Sequence, residues 1–167
     1  MERRTIESGT EWEAAAGYSR AVRVGPHVSI SGTTATDSEG EVVAGDAYEQ
    51  TTRAIANVEG ALAEAGTELA DVVRTRIYVT DIGEWEAIGK AHAEAFGEIR
   101  PATTMVEVSQ LIAPELCVEI EADAIVDGAT EDADNTDGGR DHDEGSRGSV
   151  GEGTGDTGDT GDTGDTD

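Results

Sequence analysis

The sequence predicts an α+β domain, a mixed sheet with two helices on one face, followed by an acidic tail. Two segments place apolar residues at helical spacing, and the segments between them alternate apolar and polar residues one by one. The resulting order is strand, strand, helix, strand, helix, strand, strand, which is typical of helices packed on one side of a sheet. The composition changes after Val126, so we place the domain at residues 1–126 and the tail at 127–167.

The first predicted strands lie in AVRVGPHVSISG, residues 21–32, where a Gly25-Pro26 turn separates two short alternating runs. A long amphipathic helix follows from Asp46, because small or apolar residues recur at helical spacing over the next twenty or so positions. Gly66 is the expected C-terminal cap of that helix, since glycine adopts the left-handed conformation needed there.

Residues 72–80 form the third predicted strand, which should carry Val73, Ile77 and Val79 on one face and Arg74, Arg76 and Tyr78 on the other. Asp81 begins the second helix, with Glu84 as its reciprocal cap and Pro101 as its stop. The inner stripe of this helix is expected to contain Trp85, Ile88, His92, Ala95 and Phe96.

Two further strands are predicted at residues 103–110 and 117–126. Along the last strand, apolar residues from Val118 to Val126 alternate with Glu119, Glu121 and Asp123. One face of this strand therefore belongs under the helices, and the other carries three carboxylates. If this strand neighbours the third one, the carboxylates can pair with the arginines there.

The net charge of −26 is shared by both parts of the chain. Residues 127–167 hold fourteen acids and two arginines, and residues 1–126 hold 23 acids, eight arginines and a single lysine, Lys90. An acidic surface poor in lysine suits a cytosol of high salt, where screening weakens self-repulsion. The same charge argues against nucleic acid as a partner, because binding phosphates needs a basic patch.

The tail ends in a GDT repeat at residues 155–166. A calcium-binding array would need an aliphatic residue in each repeat, and a collagen-like helix would need proline, so we expect a disordered, solvating segment. A lone Cys117 excludes an internal disulfide. The N-terminus resembles no signal peptide and no run is long enough to span a membrane, so a cytoplasmic protein without a membrane partner is expected.

Several segments together resemble the reactive intermediate deaminase A (RidA) family, also called the YjgF or L-PSP endoribonuclease family. They are GYSRAVRVGPHVSISGTTA, NVEGALAEAG, VVRTRIYVTDI and PATTMVEVSQL followed by VEIEADAIV. The resemblance implies a chorismate-mutase-like fold and a homotrimer whose sheets form a central barrel, with clefts between subunits. The acidic face of the last strand would then turn toward the barrel and the subunit interface.

The resemblance also implies hydrolysis of imines or enamines to a carbonyl compound and ammonia, without cofactor or metal. Deaminating members hold the substrate carboxylate with an Arg two places after the Pro of the PA motif, a bidentate contact that suits guanidinium geometry. This chain has Thr103 there, between Ala102 and Thr104. A hydroxyl brings no charge, so we expect carboxylate affinity to fall by about 1.5–3 kcal/mol unless another cation compensates.

Glu119 matches the family's acidic residue that positions water or substrate, and it is the candidate catalytic residue. Its other interpretation is an ion-pair partner for the arginines of the third strand. The candidate substrate-binding residues implied by the resemblance are Tyr18, Ser31, Gly32, Arg100, Thr103, Thr104 and Met105. Tyr18 is alternatively an interface aromatic.

Arg100 precedes Pro101 and could replace the missing cation, or it could complement the helix dipole. Arg20 and Arg23 are further candidates, although an alternating strand would place them on opposite faces. Cys117 and His92 are better explained as a packed thiol and a core histidine than as a catalytic pair. No spacing of His, Cys and carboxylates suggests a metal site.

Two functions remain open from the sequence. The first is a trimeric enzyme that hydrolyses a reactive imine or enamine, with Glu119 orienting water and Thr103 and Thr104 hydrogen-bonding the substrate. The second is a non-catalytic module that keeps the trimer and binds a small molecule in the cleft.

Overall fold

A computed structural model describes residues 2–127, so the predicted tail from residue 128 onward lies outside the described residues. The strands are β1 (Arg3–Ile6), β2 (Ala21–Val24), β3 (His27–Thr34), β4 (Val72–Val79), β5 (Ala102–Glu107) and β6 (Val118–Ile125). The helices are α1 (Glu11–Ala16), α2 (Ala47–Glu64) and α3 (Trp85–Phe96). All of the predicted strands and both predicted helices are therefore present.

The six strands form one mixed sheet in the order β1-β2-β3-β6-β4-β5. Neighbouring strands are antiparallel except β4 and β5, which run parallel and are connected through α3. The α2 helix packs on β3 and β6, and α3 packs against α2. The helix-covered side of the sheet, called here the inner face, holds the core, which confirms the predicted α+β architecture.

The start and end of α2 follow from its terminal residues. Asp46 accepts a hydrogen bond from the Glu49 backbone N–H at 2.9 Å, and the Glu49 carboxylate accepts from the Asp46 backbone N–H at 3.0 Å. This reciprocal capping box satisfies two otherwise free donors. At the other end Gly66 has φ +75°, and the N–H of Thr67 donates to the carbonyl of Leu62 at 3.0 Å, as in a glycine-terminated helix.

The alternation on β6 is confirmed. Val118, Ile120, Ala122 and Ala124 are at most 1% exposed on the inner face. The three acids of the strand lie on the opposite side, called here the outer face, where Arg76 of β4 reaches Asp123 at 3.1 Å and Glu121 at 3.5 Å. These side chains are between a third and two fifths exposed, so solvent screening limits each pair to less than about 1 kcal/mol.

Two expectations for the inner face are wrong. Val73 is 44% exposed, because the register between β4 and β6 shifts after Val72 and turns Val73 outward. Trp85 is 57% exposed, because a 3-10 turn at Ile82–Glu84 precedes α3 and leaves Trp85 outside the buried stripe. Asp81 caps that turn, accepting from the Gly83 N–H at 2.8 Å.

The N-terminal segment adds β1 and α1, which the sequence did not predict. Glu13 of α1 is only 6% exposed, and its carboxylate accepts hydrogen bonds from the backbone N–H groups of Ser8 and Gly9 and from the Ser8 hydroxyl, at 2.7–3.1 Å. Burial alone would raise the pKa of Glu13, but these hydrogen bonds outweigh it and lower that pKa. The Glu13 carboxylate therefore connects α1 by hydrogen bonds to the segment that follows β1.

The β5 strand ends at Glu107, three residues earlier than predicted. It forms one edge of the sheet, and its Thr103, Thr104 and Val106 are exposed. An exposed edge with an apolar side chain is a surface that proteins usually cover. Among residues 2–127, no helix combines the length and apolarity needed to cross a bilayer.

Candidate functional site

The Glu119 carboxylate lies directly over the backbone of Gly32. The pairing of β3 with β6 is irregular between Ile30 and Thr33, so Ser31 and Gly32 bulge out of the ladder. A Cβ atom built on residue 32 would lie 1.8 Å from Oε1 of Glu119. Only glycine therefore leaves room for the carboxylate in this position.

Arg20 holds the other side of the bulge. Its Nη1 donates to the carbonyl of Gly32 at 2.8 Å and to Oγ1 of Thr33 at 3.0 Å. Its guanidinium carbon lies 6.0 Å from the ring centroid of Tyr18. The backbone N–H of Ser31 donates to the carbonyl of Arg20 at 3.0 Å.

The structure thus brings together four of the predicted site residues and adds a fifth, Arg20. We call Tyr18, Arg20, Ser31, Gly32 and Glu119 the Glu119 cluster. The sequence suggested Arg20 only as one of several possible cations. The bulge within β3 could not be placed from alternation alone.

Burial raises the pKa of the Glu119 carboxyl above its ordinary value, and repulsion from Glu121 adds to the effect. The positive charge of Arg20 opposes it. A carboxyl whose pKa lies closer to neutrality exchanges protons more readily at physiological pH, which is the property needed of a general acid and base.

The other predicted residues lie on β5, with β4 between them and β6. Thr103 is opposite Thr75, Thr104 is opposite Arg76, and Met105 follows in the same register. Residues that pair across a sheet share a face, so Thr103 belongs to the inner side and Thr104 to the outer side. Within one chain these residues do not join the Glu119 cluster.

Arg100 lies between α3 and β5, is exposed, and has φ +54°. Its backbone N–H donates to the carbonyl of Phe96 at 2.7 Å, which closes the last turn of the helix. Arg100 therefore lies at the helix C-terminus, next to the start of β5, a position that both of its interpretations share.

Thr103 is hydrogen-bonded toward the interior. Its Oγ1 lies 2.9 Å from Oγ1 of Thr75, which is fully buried, and Thr75 lies 3.0 Å from Nε2 of His92 on α3. We call His92, Thr75 and Thr103 the Thr103 chain. Burial lowers the pKa of His92, so the ring is neutral at pH 7. Thr75 was not predicted as a site residue, and its buried hydroxyl, which needs a partner, is seen only in the structure.

Cys117 is engaged by Gln50, whose Oε1 accepts from the Cys117 backbone N–H at 2.9 Å and from its thiol at 3.2 Å. Burial raises the pKa of the thiol, which keeps it protonated and unreactive. Among the described residues, no group of three or more His, Cys, Asp or Glu side chains is placed to hold a metal ion.

The chain matches the protein family described as Endoribonuclease L-PSP over residues 8–126. It is 41% identical over 106 residues to a RutC family protein of Pyrococcus abyssi, covering 63% of this chain and 83% of that protein. It is 35% identical over 106 residues to the 3-aminoacrylate deaminase RutC of Acinetobacter baylyi, with the same coverage of 63% and 83%.

Solved structures agree with these sequence relationships. A member of the YjgF/YER057c/UK114 family from Mycobacterium tuberculosis is 56% identical and matches with a TM-score of 0.69, covering 75% of this chain and 100% of that one. TdcF of E. coli with bound serine is 26% identical, with a TM-score of 0.60, and covers 65% of this chain and 87% of that one. Since the family model matches residues 8–126 and solved family structures share the fold, the chain belongs to the RidA/YjgF/L-PSP family.

Proposed function

We propose that this protein hydrolyses a reactive imine or enamine to a carbonyl compound and ammonia, with Glu119 as the acid and base. The observation that carries the proposal is the position of the Glu119 carboxylate over Gly32, in surroundings that raise its pKa. The 3-aminoacrylate deaminase among the relatives supports this reaction class, because its substrate is an enamine.

The reaction needs water and two proton transfers. The Glu119 carboxylate accepts a proton from water as the water oxygen bonds to the imine carbon, and this proton passes to the imine nitrogen to give the carbinolamine. Glu119 then takes the carbinolamine hydroxyl proton and gives it to the nitrogen as the C–N bond breaks, so the carbonyl forms and ammonia leaves. The balance is one imine and one water giving one carbonyl compound and one ammonia, and positioned acid–base catalysis of this kind contributes about 10²- to 10⁴-fold.

We further propose that the complete site forms between subunits of a homotrimer. Two observations support this arrangement. The Glu119 cluster and the residues of β5 are separated by β4 within one chain, and β5 is an exposed edge. A second copy that covers this edge would bring the exposed Thr103, Thr104 and Arg100 of one subunit toward the Glu119 cluster of another.

The alternative function is a non-catalytic binding module, and one observation favours it. The family's carboxylate-binding Arg is replaced by Thr103, whose single hydroxyl proton is committed to a hydrogen bond within its own chain. Free imino acids therefore lose their usual anchor at this position. A module that binds a stable small molecule would need no such anchor for catalysis.

Turnover of 2-iminopropanoate, generated in situ in concentrated potassium chloride, tests the proposal. Keto-acid release above the uncatalysed rate is compared for wild type, Glu119→Ala and Thr103→Arg. Wild-type activity that Glu119→Ala removes supports the enzyme.

No activity in wild type combined with activity in Thr103→Arg would mean that the cleft is intact and that its natural ligand is something other than a free imino acid. Activity that survives Glu119→Ala unchanged would contradict the proposed role of Glu119. Gly60→Ala is the matched control, because residue 60 is exposed on α2 and a Cβ there meets no atom within 4 Å.

A further inference from the structure

The hydrogen-bond partners of Thr103 determine which way its hydroxyl proton points. Its Oγ1 lies 3.1 Å from the carbonyl oxygen of Pro101 and 2.9 Å from Oγ1 of Thr75. A carbonyl oxygen only accepts, so the single proton of Thr103 is donated to Pro101. The proton between Thr103 and Thr75 must then come from Thr75.

The same reasoning predicts which ring nitrogen of His92 carries a proton. Since the Thr75 proton is used toward Thr103, the contact of 3.0 Å between Thr75 and Nε2 of His92 needs a proton on Nε2. The hydrogen bonds of the Thr103 chain are therefore donated in one direction, from His92 to Thr75, from Thr75 to Thr103 and from Thr103 to Pro101. A protonated ring also carries hydrogen on Nε2, so the direction does not depend on the charge of His92.

One acceptor position of the Thr103 hydroxyl oxygen remains unused. A hydroxyl has one proton and two acceptor positions, and here the proton and one acceptor position are occupied. Thr103 is exposed at the open edge of the sheet, so the second acceptor position is available to a ligand. An acceptor oxygen repels a carboxylate and attracts an N–H or O–H group.

We propose that Thr103 is a specificity-determining acceptor, oriented by His92 and Thr75, and that the ligand presents a neutral N–H or O–H donor to it where carboxylate-binding relatives meet an anion. The substrate class is then an imine or enamine bearing a carboxamide, amine or hydroxyl at this position. This assignment of substrate class rests on the proposed hydrolytic function, whereas the preference for a donor group is a binding property that stands without it.

The preference is measured by binding of two carbonyl compounds that differ only in this group, pyruvamide and pyruvate. Isothermal titration with the full chain in potassium chloride gives the ratio of their dissociation constants. Wild type is expected to bind pyruvamide roughly five- to tenfold more tightly, the effect of about one hydrogen bond. Thr103→Val keeps the shape and removes the acceptor, so its ratio should fall to about one.

Thr103→Arg should reverse the preference, and Thr52→Val, at a remote α2 position, should leave it unchanged. Equal or tighter binding of pyruvate by wild type, no binding of either compound, or an unchanged ratio in Thr103→Val would each overturn the proposal. Pyruvamide preference without imine turnover would refute the hydrolytic function alone. Turnover of 2-iminopropanoate that does not depend on the Thr103 hydroxyl would refute the specificity role alone.

Two further measurements test whether His92 and Thr75 orient the Thr103 hydroxyl. Nitrogen NMR of the ring is expected to show a protonated Nε2 and, above the pKa of His92, an unprotonated Nδ1. Thr75→Val should reduce the pyruvamide preference while Thr103 is retained, since its Oγ1 is no longer held in one direction. An unprotonated Nε2 would mean that Thr75 donates to His92 and accepts from Thr103, which would overturn the orienting role assigned to His92 and Thr75.

Discussion

The Glu119 carboxylate occupies the space that a side chain at residue 32 would need, so this position of the carboxylate requires Gly32. A Cβ there would lie 1.8 Å from Oε1 and 2.9 Å from the carboxyl carbon of Glu119. The two residues come from β6 and from the bulge of β3, and they meet on the outer face of the sheet. The position of the proposed acid–base group, the Glu119 carboxylate, therefore depends on the residue at position 32.

Gly32→Ala is expected to displace the Glu119 carboxylate without unfolding the domain. The atoms in the way belong to a side chain that can rotate, and the φ angle of Gly32 is not one that favours glycine, so the free energy of unfolding should change by less than about 1 kcal/mol. Activity should fall by about 10- to 100-fold, since a misplaced catalytic group loses its alignment. Steady-state kinetics and thermal denaturation measure the two effects.

Gly60→Ala provides the comparison for that substitution. Residue 60 lies in α2 with open space around its Cβ position, so the change should stabilise the helix by about 0.5–1 kcal/mol and leave turnover as it was. Equal loss of activity in both variants would show that the Gly32 result is not specific to Glu119.

Glu13→Gln is expected to destabilise the fold by about 1–3 kcal/mol, because the amide has only one acceptor oxygen for the donors from Ser8 and Gly9. The pKa of Glu13 is lower in the folded state, so its stabilising contribution is present above the unfolded pKa and is lost as pH falls through the folded value. Urea denaturation at several pH values measures this. Glu7→Gln, an exposed neighbour, is the control that should have little effect.

The elements that were predicted correctly are those whose periodicity reflects burial. On β6 every second residue is buried, and α2 presents one apolar stripe to the sheet. In β1 only Ile6 is buried, so an edge strand of four residues carries almost no alternation. Val73 was placed on the wrong face because a bulge shifts the register, and nothing in local sequence marks where a bulge falls.

The candidate site was predictable to a similar degree. Glu119, Gly32 and Tyr18 came from family resemblance, and the structure brings them together. The Thr103 chain depends on the parallel register of β4 and β5 and on the position of α3, both of which are tertiary properties. The burial of Thr75 and the identity of its partners both come from the structure.

Deleting residues 127–167 is expected to leave the fold and assembly unchanged. The Val126 N–H donates to the carbonyl of Pro26 at 2.8 Å, and this contact is retained by a chain ending at Val126. The deleted part carries 14 of the chain's 37 acids, so its loss should mainly reduce solubility at high salt. Light scattering and thermal denaturation test this, and loss of the oligomer would contradict a purely solvating role.

Glu119→Gln should separate the catalytic role of this residue from its effect on stability. Ionising Glu119 is harder in the folded state, since burial raises its pKa, so the charged carboxylate lowers the stability of the wild type at neutral pH. The amide cannot ionise, and the variant should be the more stable protein at pH 7. Because wild-type Glu119 becomes protonated as pH falls through its folded and then its unfolded pKa, the advantage should disappear in acid.

Over the same range, turnover by Glu119→Gln should be about 10²- to 10⁴-fold below wild type, the usual contribution of a general acid and base. Thermal denaturation and keto-acid release at matched pH values give both quantities. A variant that is less stable at pH 7 would mean that Arg20 stabilises the charged form more than burial disfavours it. In that case Glu119 would be an ion-pair residue with an ordinary or lowered pKa, as its alternative interpretation from the sequence holds.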